Sequence, residues 1–173
     1  MQEGDLYEDM PISSILNQCL KEQEWDDTIE VNDDRTIAQV RTELIINDQP
    51  HYMFLEAEET KHRFAVYLHG PYKVLSSRVG EICRLLNLIN LRLSLGRFAC
   101  LEDSDSYPIH FRARIDVEGG TLQTKQVEKL VTAAYRAFDY YGPIIVTVAI
   151  TEKSASLCWA ELLAQEQNRK RTE

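Results

Sequence analysis

No stretch of this chain is apolar for long enough to cross a bilayer. A spanning helix needs about 20 consecutive apolar residues. The longest runs, "LLNLINLRLSL" (85–95) and "PIIVTVAI" (143–150), are shorter and are interrupted or flanked by polar residues. A basic excess is lacking too: 19 Lys and Arg stand against 28 Asp and Glu, a formal net charge of −9. Nucleic-acid binding rests on a basic patch that releases counterions, so a polyanion is repelled on average. The one basic cluster, Arg169, Lys170 and Arg171, is short and terminal and reads as a solvated tail. Neither nucleic acid nor membrane is expected as a partner. The start, "MQEGDLYEDMP", is acidic where a secretory signal needs positive charge followed by an apolar stretch, so a cytoplasmic location is expected.

Motifs of catalysis and cofactor binding are equally scarce. The four cysteines, Cys19, Cys83, Cys100 and Cys158, form no CxxC pair and read as small, reduced core residues. His51, His62, His69 and His110 form no HExxH or His-x-His pattern and do not meet cysteines at zinc spacing, so no metal site is expected and each is read as facing water. There is no GxSxG elbow, although triads are defined in space rather than by sequence separation. Gly119 and Gly120 precede a helix without a phosphate-cradling GxGxxG or GxxxxGK, and read as a turn. Glu56, Glu58 and Glu59, beside Thr60, Lys61 and His62, look like a wet run of acids rather than a general acid and base in a dry cleft. No cofactor and no enzymatic activity are expected.

What is present is an ordinary globular composition: 44% hydrophobic and 27% charged residues with only seven glycines and five prolines. A 173-residue chain is the size of one domain and buries roughly 70% of its unfolded surface. A first helix should begin after Pro11, because proline suits the first turn and Ile12, Ile15, Leu16, Cys19 and Leu20 follow at helical spacing. From Asp26 the period becomes two, through "DTIEV", "TIAQVRTELII", "HYMFLEAEE" and "RFAVYLHG", which predicts consecutive antiparallel strands. Gly70 and Pro71 are expected to stop the sheet.

A second helix is predicted over about 74–90, with Leu75, Val79, Ile82, Cys83, Leu86 and Ile89 in one stripe. Leu85 and Leu88 widen that stripe, enough to suggest packing on the sheet and against a second subunit. After Gly96 alternation returns: Ile109, Phe111, Ala113, Ile115 and Val117 share one face, His110, Arg112, Arg114, Asp116 and Glu118 the other. Thr124 should cap a third helix that ends at Gly142 and Pro143. Residues 143–150 fit a strand or a helix, and "SASLCWAELLAQEQ" reads as a final helix. The layout is α+β, an antiparallel sheet covered by helices in the order α, three or four β, α, β, β, α, over residues 10–150, followed by a helical extension and basic tail over 151–173.

Residues 85–122, "LLNLINLRLSLGRFACLEDSDSYPIHFRARIDVEGGTL", resemble the YbjN family, described as bacterial sensory transduction regulators. The shared pattern is an asparagine at a helix end (Asn90), a glycine six residues on (Gly96), an aromatic strand (Phe98) and a "DVEG" close at 116–119, with similar layout over roughly residues 10–150. The resemblance implies a type III secretion chaperone-like fold, commonly dimeric, and no settled activity. This chain departs from the pattern with "DSDS" (103–106) in the hairpin turn and "RFACL" after Gly96.

The charged row Arg112, Arg114 and Asp116, with Arg41 on an earlier strand, is the one candidate site. Two guanidinium forks on one strand face suit a carboxylate or an acidic peptide. Cross-strand ion pairing on a solvated face is the simpler account of the row and needs no ligand. The expected function is a non-enzymatic domain that binds a protein or peptide, chaperone-like or regulatory and homodimeric. The alternative is a sensor with an anionic small molecule in a cleft beside the arginines.

Overall fold

The computed structural model describes Tyr7, residues 9–102 and residues 107–172. Helix α1 (Pro11–Glu22) precedes four strands, β1 (Ile29–Val31), β2 (Ile37–Ile46), β3 (Gln49–Glu58) and β4 (Arg63–Val74). Helix α2 (Val79–Asn90), strands β5 (Arg97–Cys100) and β6 (Tyr107–Asp116), and helices α3 (Thr124–Ile150) and α4 (Ala155–Thr172) follow. The strands form one antiparallel sheet in the order β1-β2-β3-β4-β6-β5. This is the α+β class and the element order that the periodicities predict, with α4 as the final helix read from "SASLCWAELLAQEQ".

The helices contribute to one core against one sheet face. Leu16 of α1, Ile82, Leu85 and Ile89 of α2, Phe138 and Ile145 of α3 and Cys158 of α4 join Met53, Leu55, Phe64, Leu68 and Phe111 of the sheet. Phe98 sits edge-on to both Phe111 (5.3 Å) and Phe138 (5.0 Å), tying β5, β6 and α3 together. Each such fully buried side chain contributes about 1.5–3 kcal/mol from leaving water. No helix among the described residues is long and apolar enough to cross a membrane.

Two segments run past the stops expected for them. Strand β4 continues through Gly70 and Pro71 to Val74, because its register against β6 shifts between His69 and Lys73. Inside that irregularity Pro71 owes no ladder hydrogen bond. Helix α3 passes Gly142 and Pro143 and runs 27 residues to Ile150, so residues 143–150 are helix. The carbonyl of Asp139, which would accept from the residue at position 143, accepts instead from Asn47 Nδ2 at 3.1 Å. Its N-cap is Gln123, in a reciprocal capping box with Gln126, one residue before Thr124. In the reverse direction, α2 begins only at Val79, after a 3-10 turn (Ser76–Arg78), and leaves Leu75 exposed.

Burial also corrects several single-residue expectations. Cys19 and Cys158 are buried, but Cys83 points out from α2 into solvent. His51 and His110 do not face water; they are 1% and 7% exposed. Glu58 is not wet either. At 4% exposure it bonds Arg63 through both Nε and a terminal nitrogen, and Lys61 at 2.6 Å. Burial pushes its carboxyl up, yet the hydrogen bonds and charges of Lys61 and Arg63 outweigh that and hold it below the ordinary range. Glu59 caps α1 instead of a solvated strand end, accepting from Ile12 N (3.2 Å), Ser13 N (2.8 Å) and Ser13 Oγ (2.7 Å).

The family-like pattern around Asn90 has a local physical cause. Asn90 Oδ1 accepts from Phe98 N (2.8 Å) while its Nδ2 donates to Phe98 O (3.0 Å), so the side chain imitates a neighbouring strand and starts β5. Gly96 has φ +74°, and a Cβ there would lie 2.2 Å from Phe111 Cζ. Only glycine fits that position. The "DSDS" departure (103–106) lies outside the described residues.

Candidate interaction surface on the open sheet face

Because side chains alternate across a strand, core residues on one face leave a defined set on the other. Register aligns that set into rows. One runs Arg41, Phe54, Tyr67, Arg112, Arg97 across β2, β3, β4, β6 and β5. The next runs Glu43, Tyr52, His69, His110, Ala99, and on the other side lies Gln39, Glu56, Ala65, Arg114. Arg41, Glu43, Tyr52, Arg114 and Asp116 are exposed, so this face is open.

Its centre is aromatic rather than polar. Phe54 meets His69 edge-on at 5.3 Å, His69 stacks on His110 at 5.6 Å, and Arg41 lies over the rings of Tyr52 (5.0 Å) and Phe54 (5.9 Å). A shallow basin of about 480 Å³ lies over Arg41, Tyr52, Phe54, Glu56, Tyr67 and His69. Burial, then the charges of His69 and Arg112, push His110 down to about 4, and burial lowers His69 as well, so both rings are neutral at pH 7. His110 Nδ1 is buried without a hydrogen-bond partner.

The four residues singled out from sequence share this face but do not form one cluster. Arg112 and Arg114 are neighbours on β6. Arg41 lies three strands away, about 15 Å at ordinary strand spacing, across the aromatic centre. Asp116 stands opposite Arg63, which bonds Glu58 instead. Internal ion pairing does not account for the row: among the described residues none of Arg41, Arg97, Arg112 and Arg114 makes an ion pair. Sequence reasoning missed Arg97 and the rings. Alternation around Phe98 was enough to turn Arg97 outward, but only the β5–β6 register sets it opposite Arg112.

Of the two leucines expected at a second subunit, Leu85 is fully buried in the chain's own core and Leu88 is half-buried. A larger cavity, about 740 Å³, lies on the helical side between residues 92–95 and α3, with Lys125, Lys129 and Arg136 along one wall. Its other basic residue, Arg92, is already paired with Glu166 through two hydrogen bonds (2.8 and 3.0 Å). Among the described residues no group of three or more His, Cys, Asp or Glu is placed to hold a metal ion.

Residues 13–145 match the family YbjN, whose description reads "Putative bacterial sensory transduction regulator". The chain belongs to the YbjN family. Three solved structures share its fold. One is YbjN from E. coli, at 12% identity and TM-score 0.51, over 74% of this chain and 89% of that one. Another is an uncharacterized protein from Methanothermobacter thermautotrophicus, at 12% identity and TM-score 0.53, over 79% and 98%. The third is a chain of the ExsC–ExsE complex, at 15% identity and TM-score 0.52, over 79% and 97%. At these identities the likeness is one of fold. No curated protein matches the chain. For this YbjN-family chain, the fold class implied by the Asn90–Gly96–Phe98 pattern is the one observed.

Proposed function

We propose that this YbjN-family chain is a non-enzymatic, regulatory or chaperone-like domain of the cytoplasm that holds a protein or peptide partner on its open sheet face. The observation that carries the reading is the aromatic centre of that face, Tyr52, Phe54, Tyr67 and His69, flanked by arginines that make no ion pair among the described residues. A solvated antiparallel face is ordinarily polar, and aromatic and arginine side chains are those enriched where proteins meet. The interacting unit is residues 10–150, with residues 151–173 a helical extension docked through Glu81 on Ala155 N (2.7 Å) and Arg92 on Glu166. That the ExsC–ExsE structure is a complex of two proteins agrees with the reading.

The test is capture from host lysate by the tagged chain, wild type against an Arg112→Glu, Arg114→Glu double variant and against Phe54→Ser, all confirmed folded by circular dichroism. A protein retained by wild type and lost from both variants is the expected result. Equal retention by folded variants removes the open face as the site. Homodimer formation is a second reading, favoured by half-buried Leu88 beside Leu91, which is 85% exposed at the end of α2. Light scattering coupled to size exclusion decides it, and a monomer mass at 100 µM would rule it out.

A further inference from the structure

Arg97 on β5 stands directly opposite Arg112 on β6, and Arg114 is the next residue along on the same face. Like charges directly opposed across two strands repel, since their Cβ atoms are only about 4.5–5.5 Å apart. An acid between them would remove the cost, but among the described residues none of the three has an anionic partner. The three arginines also line one cavity of about 290 Å³, with Gly96 and Ala113 as its remaining walls. That volume lies at the lower end of small-ligand sites. Of the acids on this face, Glu58 bonds Lys61 and Arg63 and Glu56 accepts from Gln39 at 3.3 Å, while Asp116, two residues beyond Arg114, stands opposite Arg63 and makes no ion pair with any of the three arginines.

We infer that Arg97, Arg112 and Arg114 form an oxyanion site at the β5 edge of the open face, one that takes a phosphate or carboxylate group. Guanidinium forks bond such groups through paired parallel N–H···O contacts, and three forks around one small cavity match a single multivalent oxyanion. The anion supplies the counter-charge that the fold omits. It is carried either by a free small molecule or by an acidic side chain of the partner proposed above. Only the second carrier rests on that reading.

The arrangement makes a paired forecast for thermal unfolding. Without anion, Arg97→Gln should melt at or above the wild-type temperature, because it relieves repulsion. In 20 mM sodium phosphate against sodium chloride at matched ionic strength, wild type should gain about 3 °C or more beyond any gain of Arg97→Gln or Arg112→Gln. Phosphate stabilises proteins generally by exclusion from their surfaces, so the difference between wild type and variants is the readout. A second arm replaces phosphate with a seven-residue Glu- and Leu-containing peptide, measured by fluorescence anisotropy against its Lys-containing counterpart. A wild-type-specific phosphate shift supports a free oxyanion; peptide binding alone, lost in both variants, supports a partner's carboxylate. If wild type and variants respond alike to both probes, there is no oxyanion site. That outcome leaves the lysate capture by Phe54 unaffected, so the two readings fail separately.

Discussion

The side-chain amide of Asn47 donates to the main-chain carbonyl of Asp139, 92 residues away, at 3.1 Å. Pro143 has no N–H to give that carbonyl, and helix α3 nevertheless continues through it to Ile150. Asn47 occupies the β2–β3 turn at φ +51°, followed by Asp48 at φ +60°, a two-residue hairpin that favours this residue type. One residue thus satisfies a turn and repairs a helix.

Asn47→Gly keeps the left-handed turn but removes the amide, and should lower stability by about 0.5–1 kcal/mol, the modest figure fitting a partly solvated bond. In a Pro143→Ala background, where the helix supplies its own donor, the same substitution should cost close to nothing. Urea unfolding of the four proteins gives this as a coupling energy, and an uncoupled pair would show that water, not Asn47, serves the carbonyl.

Glu59, in the connection between β3 and β4, ties that turn to the start of α1. Its carboxylate takes two main-chain N–H groups and the hydroxyl of Ser13, which is fully buried. Glu59→Ala strips the N-terminus of α1 and leaves that hydroxyl unpartnered, and should cost about 2–3 kcal/mol. Glu59→Ala combined with Ser13→Ala should recover part of this loss, since the orphaned hydroxyl is then gone. Chemical denaturation measures both; an exposed, interchangeable Glu59 would show less than 0.5 kcal/mol.

The stacked pair His69 and His110 makes the fold sensitive to acid. With His110 held down to about 4 by burial, His69 and Arg112, its unfolded form carries a proton across the window from about pH 4 to 6.5 that the folded form lacks. Stability therefore rises with pH through that window, is complete above about pH 7, and is lost on acidification. His51 and His69 shift the same way. At about 1.4 kcal/mol per unit, His110 alone should cost the protein roughly 2 kcal/mol between pH 7 and pH 5. His110→Phe, which keeps a ring beside His69, should flatten that slope; an unchanged slope would place the titrating group elsewhere.

Local pattern carried most of the architecture. The switch from 3.6-residue to 2-residue periodicity at Asp26, the helix stripe at 82, 86 and 89, and the alternation over 109–117 each name an element whose burial needs one apolar face, whatever it packs against. Where the reading failed, a partner distant in sequence overrode a local signal. Pro143 reads as a stop until Asn47 serves Asp139, and Glu58 reads as wet until Arg63 and Lys61 close over it. His51 reads as a surface histidine until Phe138 (4.9 Å) and Tyr72 (6.0 Å) enclose it.

For the candidate site the division is the same. Alternation alone determined that Arg112, Arg114 and Asp116 share a face, because successive side chains of a strand must point to opposite sides. Composition alone determined the acidic balance, a formal net charge of −9. Only tertiary structure decided what stands beside those arginines. Strand order put Arg41 across the sheet, the β5–β6 register set Arg97 against Arg112, and helices on one face alone left Tyr52, Phe54 and Tyr67 uncovered. Neighbours across a sheet are set by pairing between segments far apart in the chain, and a period of two holds no record of that pairing.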